Sequence, residues 1–295
     1  MLKRLQQLLT NLHVPYPNAS VEEMLTYCFT AKGKKIRPQL VILSAAVFGA
    51  SLEEALDPAI AIECIHLYSC IHDDLPCMDD DDWRRGVPSL HKVYGEAEAL
   101  LAGDALLTFA FSILAKCSLP SEIKIELIQI LAQKAGAKGM IAGQLFDIRS
   151  NNTPLEEKHL LYMHEQKTGA LFSASTLFGA VIGAATKKQK TAMEQFGSYL
   201  GIAYQIKDDL LDVIGSEKEM GKPVGSDAKN AKSTSASLYG IEAAEKKAKL
   251  WYDAAIDSLE KASEAPFPQS TEKEISAEAI NSLKELVHKL VDRTT

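Results

Sequence analysis

Six aspartates fall within ten residues, at Asp73, Asp74, Asp79, Asp80, Asp81 and Asp82, and Arg84 and Arg85 follow directly. Carboxylates beside guanidiniums suit a metal–phosphate site, because Mg²⁺ takes hard oxygen ligands while phosphate takes bidentate arginine. A solvated acidic loop is the plainer reading of such a run. Against it, Asp73 and Asp74 close an apolar segment rather than sit in a polar one. A second cluster stands far downstream, Asp208-Asp209-Leu210-Leu211-Asp212 after Tyr204-Gln205. Measured from Gln205 on a helix, residues 208, 209 and 212 lie at about −60°, +40° and −20°, so all four share one face. Asp208 and Asp212 would repel each other without a cation between them. The segment is otherwise apolar, and buried carboxylates need partners, although an exposed acidic face is the alternative.

These residues must be carried by helices. The stretch from Ile60 to Asp74 is apolar but includes Glu63 and His66, and Glu63, His66, Cys70 and Asp73 fall within roughly 80° of one face. A polar stripe on a buried helix implies a wet cavity. Asp73 and Asp79 would stand about 120° apart on one straight helix, but Pro76 breaks that helix and lets a loop fold Asp79 back toward Asp73. Elsewhere Ala, Leu, Glu, Lys and Gln dominate and strand-like alternation is scarce. Breakers such as Pro58, Pro76, Pro120 and Pro154 delimit helical segments, among them Asp57 to Asp74, Ser121 to Ile148 and Leu155 to Thr186. The expected architecture is all-α: one domain over residues 1–295, a bundle of about ten helices around a central cavity. The uncharged run between Lys167 and Lys187 reads as a buried central helix whose small residues let neighbours approach, being too polar for a membrane span.

The chain has 295 residues, 46% hydrophobic and 24% charged, which excludes disorder and a disulfide miniprotein. Lys+Arg number 32 against 39 Asp+Glu, a net charge of −7, so nucleic acid is not an expected partner and any bound anion needs a local basic patch or a bridging cation. Five cysteines with no C-x-x-C pair fit thiols in a reducing compartment, and the start of the chain lacks an unbroken apolar signal core. A cytoplasmic protein without stable membrane insertion is expected.

Taken together, the segments resemble the trans-isoprenyl diphosphate synthases, most closely the bacterial farnesyl diphosphate synthases. The first motif of that family stands here as Asp73-Asp74-Leu75-Pro76-Cys77-Met78-Asp79, with a two-residue insertion, followed by Arg84-Arg85-Gly86. The second is Asp208-Asp209-Leu210-Leu211-Asp212. Further matches are Gly33-Lys34-Lys35-Ile36-Arg37-Pro38, Leu101-Ala102-Gly103-Asp104-Ala105-Leu106, Gly143-Gln144, Lys167-Thr168-Gly169, Gly221-Lys222 and Lys232-Ser233-Thr234. They run in the family's order from about residue 32 to residue 240. The departures are Tyr204 for the usual Phe, Trp83 for a smaller apolar residue, Gln166 for a frequent His or basic residue, and Ser235-Ala236 for Tyr-Pro. None removes a metal or phosphate ligand.

The resemblance implies head-to-tail condensation of isopentenyl diphosphate with dimethylallyl or geranyl diphosphate. Three Mg²⁺ ions (Mn²⁺ being the other candidate) would be held by Asp73, Asp74 and Asp79 on one side and Asp208, Asp209 and Asp212 on the other. Arg84, Lys167 and Lys222 would contact the allylic diphosphate. Lys34, Arg37, His66 and Arg85 would hold isopentenyl diphosphate without metal, and Thr168 and Gln205 would turn oxygens toward the allylic cation. Lys222 and Lys232 lie in a Gly-, Ser- and Lys-rich segment that reads as a lid. His72, His91 and His164 lack metal-ligand spacing and read as structural. In this family the residues five and four before the first motif floor the product tunnel; here they are Tyr68 and Ser69, about 7.5 and 6 Å up the helix from Asp73. An aromatic there implies a fifteen-carbon product. A twenty-carbon synthase is the neighbouring alternative, while a non-catalytic subunit would lack motif aspartates and a terpene cyclase would lack the isopentenyl-binding basics. The family is usually homodimeric.

Overall fold

The computed structural model describes residues 1–10, 21–31, 33–214, 233–265 and 274–293. Strand among them is confined to the two-residue segments β1 (Trp83–Arg84) and β2 (Val87–Pro88), and the rest of the regular structure is helical. The all-α expectation holds. In chain order the helices are α1 (Leu2–Thr10), α2 (Val21–Thr30), α3 (Ile36–Val47), α4 (Leu52–Asp73), α5 (Leu90–Tyr94), α6 (Glu96–Lys116), α7 (Ser121–Ala135), α8 (Met140–Arg149) and α9 (Glu157–His164). A π-helical turn (Glu165–Gly169) leads into α10 (Ala170–Ile182), then α11 (Lys187–Ile214), α12 (Ser235–Tyr239), α13 (Ile241–Glu264) and α14 (Ala277–Val291).

The uncharged run became α10, and every residue of that helix is buried. Its two faces serve two apolar clusters. Leu171, Ala174, Leu177, Phe178 and Val181 join α4, α6 and α7 in one, while Phe172 and Ala180 join α3, α11, α13 and α14 in the other. Placing α10 between α4 and α11 brings the helices of the two aspartate clusters to opposite sides of one central element. Among the described residues α6 is the one helix long and apolar enough to cross a membrane, and it packs along α4.

Two expected boundaries are corrected. The segment from Ser121 to Ile148 is two helices, because the chain turns at Gly136 and Gly139, where a Cβ would lie 2.3 Å from the Ala132 carbonyl and 2.0 Å from that of Lys134. In the other direction, Pro58 breaks nothing. A capping box between Ser51 and Glu54 nucleates α4 a turn and a half earlier than expected, and the proline is carried inside it.

Candidate active site between two aspartate-rich helices

The first aspartate cluster begins at the C-terminal end of α4. The loop after it folds back as Pro76 suggested, and the bond that closes it is backbone: the Asp79 N–H donates to the Asp73 carbonyl at 2.9 Å. Asp73 is therefore held beside Asp79. Burial, reinforced by Asp79 and opposed by Lys167, pushes the Asp73 carboxyl up to about 6. Asp74 is engaged differently. Arg84 Nε donates to its Oδ1 at 2.7 Å and its Oδ2 at 3.0 Å, Arg84 Nη2 also reaches Oδ1, and the same guanidinium lies 3.4 Å from Asp81. A tight hairpin aims this arginine. Trp83 pairs with Pro88 and Arg84 with Val87, leaving Arg85 (φ 56°) and Gly86 (φ 78°) as the two central turn residues in the left-handed region.

The stripe on α4 is real and faces cations. Glu63, 1% exposed, sits 3.0 Å from Lys35 Nζ and 4.0 Å from Arg85 Nη1. Arg85 Nη2 lies 2.7 Å from His66 Nε2, and His66 Nδ1 lies 3.7 Å from Cys70 Sγ. Since guanidinium can only donate, Nε2 accepts and the proton is on Nδ1. Burial first, then Arg37, Arg85, Arg84 and Lys35, hold the His66 pKa well below its ordinary value, so the ring is neutral. Arg37 is stacked over the Phe172 ring at 4.9 Å, and its pKa is lowered by burial. One buried carboxylate thus anchors a nest of cations suited to a second anionic group. Glu63→Gln should leave that nest uncompensated, at a cost of about 3 kcal/mol. Thermal unfolding would then fall by roughly 5–10 °C, and a midpoint within a degree of wild type would remove Glu63 from this role.

Lys35 opens α3 in the left-handed conformation (φ 46°), which sends neighbouring lysines apart. Lys35 goes to Glu63, whereas Lys34 lies in the field of Arg293 and Asp208 and its pKa is lowered mainly by burial. The sequence pointed to Lys34 and Arg37 for the isopentenyl side; the residue seated on Glu63 is Lys35.

The second cluster lies on the last turns of α11, with Asp209 and Asp212 buried at 4% and 3% exposure. Asp208 Oδ1 is 2.7 Å from Arg293 Nη2, and that guanidinium lies 3.7 Å over the Tyr204 ring. Asp209 is a hub. Its Oδ1 accepts from Gln205 Nε2 at 3.1 Å, its Oδ2 accepts from the Ser235 N–H at 2.7 Å, and His164 Nε2 stands 3.4 Å away. Burial alone would raise this carboxyl, yet His164 and the hydrogen bonds hold it below the usual range. Asp209 thereby fixes Gln205, whose Oε1 accepts from Thr168 Oγ1 at 2.8 Å.

Thr168 and Lys167 belong to the π-helical turn, a geometry that recurs at functional sites. Lys167 Nζ donates to Asp147 Oδ2 at 2.6 Å and also lies in the field of Asp73. The turn therefore bridges the two clusters, Lys167 toward the first and Thr168 toward the second. Two motif glycines permit this packing. A Cβ on Gly143 would fall 2.1 Å from the Lys167 backbone nitrogen, so only glycine lets α8 press on the turn. A Cβ on Gly103 would fall 2.0 Å from His72 Nε2, at the end of α4 where that nitrogen bonds the Leu100 carbonyl at 3.0 Å.

Tyr68 is 6% exposed, with its ring edge-on to His72 at 5.7 Å. Its hydroxyl is buried without a hydrogen-bond partner among the described residues, and burial with Asp73 nearby pushes it up to about 12. Ser69 Oγ donates to the His66 carbonyl at 3.0 Å. Lys222 and Lys232 lie outside the described residues. Four residues enter the site that sequence reasoning did not assign to it: Lys35, quoted only as part of a motif, Asp147, visible only as a polar residue on an apolar helix, His164, read as structural, and Arg293, for which no signal existed.

The donors fit a hard divalent cation. Asp73 is a carboxylate raised by burial and by another carboxylate, a strain that a bound cation would reverse, and the first cluster offers oxygen ligands of the kind Mg²⁺ takes. Comparison with known proteins points the same way. The family model described as polyprenyl synthetase matches residues 18–267. A farnesyl diphosphate synthase of Geobacillus stearothermophilus is 42% identical over 247 residues, 83% of each chain. A geranylgeranyl diphosphate synthase of Cyanophora paradoxa is 38% identical over 84% of each. The crystal structure of the Helicobacter pylori geranyltransferase, complexed with magnesium and isoprenyl diphosphate, superposes with a TM-score of 0.86 at 33% identity, covering 99% of this chain and 95% of that one.

Proposed function

The chain belongs to the polyprenyl synthetase family, and from that premise we propose that it condenses isopentenyl diphosphate head-to-tail with dimethylallyl and geranyl diphosphates, giving mainly farnesyl diphosphate. It is a prenyltransferase. The observation that carries this function is the bridge of Lys167 and Thr168 between two carboxylate clusters, with the Glu63 cation nest alongside. Asp73 and Asp79 would hold Mg²⁺ on one side of the allylic diphosphate and Asp208 on the other, three ions in all. When bound, Mg²⁺ stabilises the charge that builds on the leaving diphosphate.

The side chains do the rest. Lys167, positioned by Asp147, neutralises the leaving diphosphate, and Lys222 and Arg84 contact the same group. Arg84 also keeps Asp74 in place. Lys34, Arg37, His66 and Arg85 hold isopentenyl diphosphate with Lys35, and a neutral His66 contributes a hydrogen bond without adding to the repulsion among these cations. Thr168 Oγ1 and Gln205 Oε1 are oxygens locked together by their own hydrogen bond, and they offer lone pairs to the allylic cation at fixed geometry. The alkene of isopentenyl diphosphate attacks that cation and loses a proton, which the released diphosphate accepts. Asp209 acts as a positioning residue for Gln205, and Asp212 supports the metal side. The five cysteines are free, in keeping with a reducing compartment and a cytoplasmic enzyme. The chain would work as one synthase domain, paired in a homodimer.

Incubation with labelled isopentenyl diphosphate, Mg²⁺ and, separately, five-, ten- and fifteen-carbon allylic diphosphates, followed by chromatography, tests the function. The five- and ten-carbon primers should both run to fifteen carbons, and the fifteen-carbon primer should be a poor substrate. Efficient extension to twenty carbons would favour the geranylgeranyl reading that one relative represents.

A further inference from the structure

The acidic run does not end with the motif. Asp80 and Asp82 lie on the loop after Asp79, and His91 lies on α5, which follows the hairpin. One ligand atom from each of these three residues falls within 4.8 Å of the others. Acidic groups in proximity are ordinary; the imidazole is not. His91 is only 7% exposed, and neither of its ring nitrogens has a hydrogen-bond partner among the described residues. A buried imidazole normally satisfies at least one nitrogen, and one that satisfies neither while standing against two carboxylates requires an explanation.

The geometry points to a second cation site, Asp80–Asp82–His91, that takes a transition-metal dication such as Zn²⁺, Mn²⁺ or Co²⁺ and is separate from the diphosphate-holding aspartates. Ligand chemistry selects the metal. Imidazole nitrogen with carboxylate oxygen suits these ions, whereas Mg²⁺ prefers oxygen alone. A dication with bonds of ~2.1 Å holds its ligands ~3–4 Å apart, which small side-chain rotations would reach here. Both carboxylates are exposed, so water completes the coordination from the solvent side. Lys92 Nζ also stands 2.7 Å from Asp82 Oδ1, a pair on the surface.

The position gives the site a purpose. Asp80 adjoins Asp79 and holds a left-handed backbone (φ 51°), and the Asp82 carbonyl accepts from the Ser89 N–H at 2.9 Å. A cation on these ligands would tie the loop carrying Asp79 to α5 and so stiffen the hairpin that aims Arg84 and Arg85. Its role is positional, and it takes no part in the bond-breaking chemistry.

Equilibrium dialysis of the full chain against Zn²⁺ in excess Mg²⁺ tests this, with Co²⁺ absorption as a signature of nitrogen ligation. One Zn²⁺ per chain should bind. His91→Gln, Asp80→Asn and Asp82→Asn should each weaken it at least about tenfold, since even partners of metal ligands are worth about that much. Asp73→Asn should leave Zn²⁺ binding unchanged. If His91→Gln does not fold, the two exposed aspartate variants carry the test. No stoichiometric Zn²⁺, equal retention in all three variants, or loss only in Asp73→Asn would overturn the site.

Discussion

Asp73→Asn should abolish turnover and at the same time make the metal-free protein more stable. The kinetic loss follows from the metal: a cation that stabilises the departing diphosphate contributes several kcal/mol to the transition state, so kcat should fall at least ~10³-fold. The stability gain follows from burial. The Asp73 carboxyl is moved from its ordinary 3.8 to about 6 in the folded chain. A carboxyl raised on folding favours the native state fully at low pH, and that contribution is lost as pH rises through about 6. At pH 7.5 the folded protein therefore carries an unfavourable charge that Asn removes, worth about 1–2 kcal/mol after allowance for solvent screening. Thermal unfolding should show the variant above wild type at pH 7.5, the gap narrowing below pH 6 and closing toward the ordinary carboxyl value of 3.8, and closing also on adding Mg²⁺ with inorganic diphosphate. A variant that is less stable at pH 7.5 would contradict the origin of the strain, and one that keeps its activity would contradict the metal role. Sites that store unfavourable charge for function show this exchange of stability for activity.

Tyr68→Ala should convert a fifteen-carbon synthase into one whose main product has twenty carbons or more. The ring is buried one to two turns up α4 from Asp73 and edge-on to His72, and its hydroxyl has no hydrogen-bond partner among the described residues. Removing it takes out a volume close to that of one isoprene unit, which under the floor role becomes room for a longer chain. Truncation leaves a cavity and should cost about 3 kcal/mol, which tempers yield without touching the aspartates or the cation nest. Tyr68→Phe is the control. The hydroxyl has no bond to lose among the described residues, so the phenylalanine variant should keep both stability and product length. Chromatography of the products separates the cases, and an unchanged distribution for Tyr68→Ala would assign the ring to core packing alone.

Much of this site was legible before any fold was known, for physical reasons. Glu63, His66, Cys70 and Asp73 share a helix face, and polar residues at that spacing on an apolar helix have few uses other than lining a cavity. The uncharged run after Lys167 reads as a buried central helix, and every residue of α10 is buried. What escaped were features set by contacts between distant segments. Pro76 marks the return of Asp79 toward Asp73, but the backbone hydrogen bond that closes it is encoded by no side-chain pattern. Arg293 reaches Asp208 from 85 positions away, with nothing in its neighbours to mark it. His91 fails every spacing rule for a ligand on one helix because its companions lie across a hairpin. The division of α7 from α8 escapes a pattern that runs from Ser121 to Ile148, because it rests on Gly136 and Gly139, where the carbonyls of the preceding turn leave no room for anything larger. The expected lid lysines, Lys222 and Lys232, fall outside the described residues.

The central claim is that two carboxylate clusters, bridged by Lys167 and Thr168, hold a metal-bound allylic diphosphate for attack by isopentenyl diphosphate. The most direct test incubates the wild-type chain with labelled isopentenyl diphosphate and geranyl diphosphate, with Mg²⁺ or with a chelator, and sizes the product. Farnesyl diphosphate should form only when both substrates and Mg²⁺ are present. No elongation in Mg²⁺, or equal elongation with the chelator, would contradict it.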